Sequence, residues 1–187
     1  MLRNTSFLRS VFIAACFLAL TAAHSAKAAV LATYDLNSAT GTTLPVTPVA
    51  VGYTVSSMSA IGLNGAAFSN HFYFNNWNAT LNPAKYLSLT VGNPAPYRLT
   101  DISFSVENSA VATTTVIVRS SADGFASDIA SFTWSNDLVT DVTLSLAPIG
   151  TRTGNTELRF YFLTPAAGTD TGIANHQPPG AGAGLPD

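Results

Sequence analysis

The run Phe72-Tyr73-Phe74-Asn75-Asn76-Trp77-Asn78 mixes aromatic rings with side-chain amides. Those two residue types stack on the C–H face of a sugar ring and hydrogen-bond its hydroxyls. Tyr73, Asn76 and Trp77 are therefore a candidate glycan platform. The same run also reads as a short strand, Phe72 and Phe74 inward, followed by an Asn-rich loop whose Trp77 covers a core edge. Both readings stand at this level. Paired carboxylates would give glycoside hydrolysis if held about 5–9 Å apart. The acids available are Glu107, Asp123, Asp128, Asp137, Asp141 and Glu157. Most fall in turns or on polar strand faces, and no spacing brings two together. No nucleophile elbow, phosphate-binding loop or dinucleotide fingerprint occurs. His71 and His176 lie far apart with no neighbouring ligand, so no metal site is expected at either. Structural calcium is the one cofactor worth a test, at Asp35, Asp123 and Asp170, because jelly rolls pin loops with aspartate and backbone oxygens. The expectation is a protein without catalytic residues.

Composition narrows the partners. Charged residues make up 10% of the 187-residue chain and hydrophobic residues 47%. That is too apolar for a disordered polyelectrolyte and fits one packed domain. Eight cations scattered along the chain form no basic stripe, so no nucleic-acid partner is expected. A single Cys excludes a disulfide framework and any Cys-rich zinc site.

Residues 1–28 read as an export signal. Arg3 and Arg9 precede an uncharged run from Val11 to Ala23, and Ala26-Lys27-Ala28 is a small-x-small cleavage triplet. A spanning helix needs about 20 apolar residues, more than this run holds. Cleavage after Ala28 removes Cys16 and three cations, leaving five cations against ten acids, a net charge of −5. The implied location is secreted or cell-surface, reached through the periplasm, with no membrane span after cleavage.

Beyond Leu31 the apolar period is two. Leu87, Leu89 and Val91 alternate with Tyr86, Ser88 and Thr90; Leu158, Phe160 and Phe162 alternate with Glu157, Arg159 and Tyr161. Ile102, Phe104 and Val106, then Val116 and Val118, repeat the pattern. Such runs put one strand face in a core and the other toward water. Gly92-Asn93-Pro94-Ala95-Pro96, Ala122-Asp123-Gly124 and Thr153-Gly154-Asn155 read as turns between them. Between Leu99 and Ile102 the alternation slips by one residue, the mark of a bulge or of a strand that enters late. About nine strands at this spacing predict an all-β, antiparallel two-sheet sandwich of jelly-roll type over residues 29–166. Residues 167–187, rich in Gly and Pro, read as a loop or tail.

Trp77-x-Ala79-Thr80, the strand Ala84 to Val91, Tyr97-x-Leu99-Thr100, Arg119-Ser120-Ser121-Ala122-Asp123-Gly124-Phe125 and Thr156 to Phe162 together cover most of the chain after the signal. In these runs the sequence resembles bacterial exported proteins of the PEP-CTERM class. The resemblance implies an exported sandwich domain, similar in outline to carbohydrate-binding modules, from an exopolysaccharide- or biofilm-producing bacterium. It supplies no catalytic residues. Its partners would be extracellular polysaccharide or other matrix proteins. Members normally carry a further strand, a Pro-Glu-Pro motif, a hydrophobic helix and a basic tail, so a sandwich read to residue 166 is expected to be short by a strand. If the signal reading holds, intact-mass measurement of the exported chain gives an unmodified N-terminus at Ala29; a lipidated Cys16 or an uncleaved Met1 would refute it.

Overall fold

The computed structural model describes residues 29–68, 71–164 and 170–174. The signal segment with its cleavage site at Ala28, and the tail from 175 to 187 with His176, lie outside the described residues. The first strands are short: β1 (Ala32–Tyr34), β2 (Thr43–Leu44), β3 (Val46–Val49), β4 (Thr54–Val55), β5 (Met58–Ile61) and β6 (Asn64–Phe68). Then follow β7 (His71–Asn75), β8 (Tyr86–Arg98), β9 (Asp101–Asn108), β10 (Thr114–Ser120), β11 (Ala130–Trp134), β12 (Thr140–Ser145), β13 (Thr151–Leu163) and β14 (Thr171–Ala174). Every pairing is antiparallel. Among the described residues no helix is long and apolar enough to cross a membrane.

Two sheets face each other across the core. One runs β11-β10-β13-β8-β5-β2 with β4 also on β8, the other β12-β9-β14-β7-β6; β1 and β3 form a separate ribbon. From β7 to β14 the chain passes between the sheets so that the last strand lies beside the first. That interleaving, β12-β9-β14-β7 over β11-β10-β13-β8, is jelly-roll order. The period-two residues meet as their spacing requires. Leu87, Leu89, Val116, Val118, Leu158, Phe160 and Phe162 pack against Phe72, Phe74, Val106, Val142 and Ile173 from the other sheet, all buried. Phe104 and Phe160 close edge to face between the sheets at 5.9 Å.

Two expected turns are instead strand. β8 runs straight through Gly92 to Pro96, and β13 through Thr153 to Asn155. Their register shifts between Arg152 and Gly154, where Pro94, Ala95 and Pro96 of β8 bow past β13. A bulge is where a strand tolerates proline, since no ladder bond there asks for its missing N–H. The Asn93 side chain accepts from the Ala95 N–H at 2.8 Å, and Gly154 supplies the left-handed φ of 71°. The buried Tyr97 hydroxyl closes the bulge, within reach of the carbonyls of Val91 and Gly154, both at 3.1 Å, and of the Thr156 hydroxyl at 2.8 Å. The slip between Leu99 and Ile102 has a different origin. β8 and β9 belong to opposite sheets, and Leu99-Thr100 carries the chain across.

The boundary expected at residue 166 also moves. Thr171–Ala174, assigned to the tail, is a strand at the middle of its sheet, paired to β7 on one side and β9 on the other. All four residues are buried. Gly172 is required there, since a Cβ at that position would run into the Phe72 carbonyl and lie 3.1 Å from the Tyr73 Cα.

Asn108, the fully buried last residue of β9, ties this strand in. Its Oδ1 accepts from the hydroxyls of Thr114 on β10 at 3.0 Å and Thr171 on β14 at 2.9 Å. Its Nδ2 donates to the carbonyls of Ala112 at 2.9 Å and Asn136 at 3.2 Å. Both threonines are fully buried. Replacing Asn108 by Ala strands two hydroxyls and two carbonyls, each costly without a partner. Asn108→Ala should lower the unfolding free energy by about 3 kcal/mol in urea titrations. A loss below about 1 kcal/mol would show that the network carries little of the fold.

Candidate functional site

The expected platform does not assemble. Trp77 is half-buried against the core: its ring lies 5.1 Å from Phe162, and its Nε1–H donates to the Thr171 carbonyl at 3.1 Å. It clamps the first residue of β14. Asn76 sits at φ 69° in the following turn, and the Lys85 ammonium donates to its carbonyl at 2.6 Å and to its side-chain oxygen. Tyr73 points to the other side of the sheet, away from Trp77. Trp134 is buried, 6.1 Å from Phe162 and nearly perpendicular to it.

A different constellation forms around Tyr73. Alternation sends Phe72 and Phe74 into the core and therefore His71 and Tyr73 to the outer sheet face. The register places Tyr73, Gly172 and Glu107 in one row across β7, β14 and β9, and His71, Ala174 and Ser105 in the next. The central strand thus contributes only a hydrogen and a methyl group, and the side chains of its neighbours close over it, leaving Gly172 and Ala174 buried. Across it the Tyr73 hydroxyl donates to Glu107 Oε2, and His71 Nε2 lies 3.2 Å from the same oxygen. The His71 and Tyr73 rings lie 4.6 Å apart, tilted by 48° to each other. These residues with Asn108, Ser109, Asp137 and Asp170 line a cavity of about 170 Å³. Asp170 is anchored through its backbone, its N–H donating to Ser109 Oγ at 3.0 Å while its carbonyl accepts from the Ser109 N–H at 2.9 Å.

The polar face continues toward β12. Ser105 donates to Asp141 at 2.7 Å, Ser103 and Thr143 hydroxyls meet at 2.9 Å, and these four line a neighbouring groove of about 360 Å³. The outer face of this sheet therefore offers hydroxyls, carboxylates, an imidazole and a phenol along one strip. Such a surface can hydrogen-bond a ligand rich in hydroxyls.

Sequence reasoning placed Tyr73 and Glu107 among candidates but in separate lists, and set His71 aside for want of a partner. Their meeting depends on β14, which no spacing signalled. The acids singled out for calcium do separate work. Asp35 accepts from the Asn37 backbone at 2.9 Å, Asp123 from the N–H groups of Ala126 and Ser127, and Asp170 lines the cavity. Among the described residues no group of three or more acidic, histidine or cysteine side chains is placed to hold a metal.

The run from Arg119 to Phe125 is a clasp on the opposite sheet. Arg119 donates to Asp128 at 2.7 Å and to the Phe125 carbonyl at 3.1 Å; the Ser120 carbonyl accepts from the Phe125 N–H at 2.8 Å. Desolvation works to raise the Asp123 carboxyl, but hydrogen bonds from Ser127 and Ala126 outweigh it and hold it below the usual range. So fixed, Phe125 adopts φ 63° and lays its ring 3.7 Å from the Arg159 guanidinium, whose other contact is the Tyr86 ring at 4.3 Å. Glu157 holds that guanidinium at 2.7 Å and, chief among the causes, raises its pKa further. The rings are occupied by the cation between them, which makes the motif a fastening of loop to sheet.

Burial first, then the hydrogen bond and charge of Glu107 and the charge of Asp170, push the Tyr73 phenol well above its ordinary value of 10.0. Burial alone does the same to Tyr34. A phenol raised in the folded state stabilises fully below the unfolded value and loses that contribution as pH climbs toward the folded one. Stability should therefore be insensitive to these groups at neutral pH and fall above about pH 10. Tyr73→Phe should flatten the fall in urea midpoints between about pH 9 and 11; an unchanged slope would mean Tyr73 ionises freely in the folded chain.

No family model matches the chain, and no curated protein matches it. Among solved structures it is similar to an arginine-to-alanine variant of CBM29-2, a family 29 carbohydrate binding module, at 14% identity, over 76% of this chain and 89% of that one, with a TM-score of 0.39.

Proposed function

We propose that the chain is an exported, non-catalytic module that binds a glycan along the outer face of the β12-β9-β14-β7 sheet. The observation that carries the reading is the polar strip His71, Tyr73, Glu107, Ser105 and Asp141 on that face, with a cavity beside Tyr73 and a groove over Ser105 opening along it. A sugar presents alternating hydroxyls and C–H faces. The strip supplies donors and acceptors in fixed positions, and the cavity and the groove give sugar hydroxyls room to reach them. Glu107 is already held by Tyr73 and His71 of β7, so its orientation is set before a ligand arrives and little ordering is lost on binding.

The PEP-CTERM resemblance and the signal segment support an extracellular setting, with matrix polysaccharide as the partner to be met there. The reading is non-catalytic because the Glu107 carboxylate is already engaged by Tyr73 and His71.

The test is a glycan array probed with the full-length chain beside Tyr73→Phe and Glu107→Gln. Binding to at least one glycan class, weakened about tenfold or more by either substitution, is the expected outcome, since each removes a hydrogen bond that orders the strip. Binding to no glycan, or binding that ignores both substitutions, would overturn the reading.

A further inference from the structure

β12 ends its sheet with one side open: among the described residues it pairs with β9 alone. The Leu146 N–H donates to the Thr100 carbonyl at 2.7 Å, which sets the phase of that ladder. Backbone groups alternate sides along an antiparallel strand, so Val142 and Leu144 turn theirs to β9. Thr143 and Ser145 turn theirs to the open side, and their side chains are exposed on the polar outer face. Four strands stand at the ends of the two sheets, and three are poorly suited to take another strand. β2 has only two residues, and β6 departs from regular extended backbone at Gly65, φ 139°. β11 has an acid close beyond each end, Asp128 and Asp137, which an antiparallel copy would bring together. β12 has six residues with no Gly, Pro, Lys or Arg among them, and its single charge, Asp141, accepts from Ser105 at 2.7 Å. It lacks the devices that keep an exposed edge single.

The flanks of β12 indicate which strand fits beside it. Leu138 and Val139 precede it at 66% and 38% exposure, and Ala147 and Pro148, also exposed, follow it. The first flank is held in place: the Asn136 side chain accepts from the Leu138 N–H at 3.2 Å, and the Asn136 carbonyl from the buried Asn108 amide. When a strand pairs antiparallel with its own copy, the start of one lies beside the end of the other. Leu138 and Val139 of each copy then cover Ala147 and Pro148 of the other, so apolar surface meets apolar surface at both ends. With a two-fold axis at Thr143, Asp141 comes beside Ser145 of the second copy, and the two carboxylates stay apart.

We infer that the chain forms a symmetric dimer through β12, paired antiparallel to β12 of a second copy about a two-fold axis at Thr143. The interface is self-complementary, as a two-fold requires, and it joins the two β12-β9-β14-β7-β6 sheets edge to edge into one. The inference stands apart from the glycan reading. Its consequence for that reading is that the two polar outer faces lie side by side on the same surface, because an axis perpendicular to the sheet keeps each face on its own side.

Sedimentation velocity of the chain recovered after export tests this, run from about 1 to 300 µM because so small an interface binds weakly. The sedimentation coefficient should rise with concentration from monomer to dimer. Thr143→Pro removes an N–H that faces the open side and leaves the β9 ladder whole, and Leu138→Lys charges the apolar flank. Each should weaken dimerisation about tenfold or more. Val51→Lys, the same kind of change at an exposed position on the turn between β3 and β4, should leave it intact. Thr143→Cys in a Cys16→Ser background reads the axis itself. Two copies of that residue would lie about 5.5 Å apart, within disulfide reach, so oxidation should give a covalent dimer. Ser131→Cys, on the outer face of β11, should not cross-link. A monomer at every concentration, a dimer that ignores both Thr143→Pro and Leu138→Lys, or cross-linking at Ser131→Cys as ready as at Thr143→Cys would overturn the inference.

Discussion

One buried amide holds the sandwich shut. Asn108 uses both lone pairs of its oxygen and both hydrogens of its nitrogen, and the four partners belong to β10, β14 and two loops. An apolar residue of similar size would fill the space but could not satisfy those groups, and an unsatisfied polar atom in a low-dielectric core is expensive. The arrangement therefore selects one register for β14, the register that puts Thr171 against Asn108, Gly172 against Glu107 and Phe74 against Thr171. The row of Tyr73 and Glu107 and the cavity beside it are laid out by that choice.

The sheets were largely legible in the chain. Leu87-Leu89-Val91 and Leu158-Phe160-Phe162 alternate strictly because each lies in a strand with one face in the core, and period two is the direct imprint of that geometry. Phe72 and Phe74 inward follow from the same rule, and so does the outward position of Tyr73. Where the reading failed, a residue type had two physical uses. Pro94 and Pro96 mark a bulge as well as a turn, and Gly154 can bend a strand as well as end it. Trp77 could offer a face or cover an edge, and its Nε1–H bond to Thr171 decides for the edge.

β14 was illegible for another reason. A four-residue strand buried on both faces needs no alternation, and Thr-Gly-Ile-Ala inside a Gly-rich stretch carries no periodic signal. Its identity comes from its partners, Phe72 and Val106 beside Ile173, which lie far away in sequence. The site inherits the same opacity. His71, Tyr73, Glu107 and Asp170 converge only once that strand is in place, so no local spacing could announce them.

The late position of this strand in the chain also bears on how the molecule assembles. β7 and β9 emerge first and are not paired to each other through their backbones; an open slot separates them until Thr171–Ala174 arrives. Contacts of such long sequence separation are slow to form, and the waiting strands expose unpaired edges meanwhile. Because Thr171–Ala174 is made after both of its partners, the open slot is the period in which a holdase would matter and in which a strand from another copy could take the place of β14.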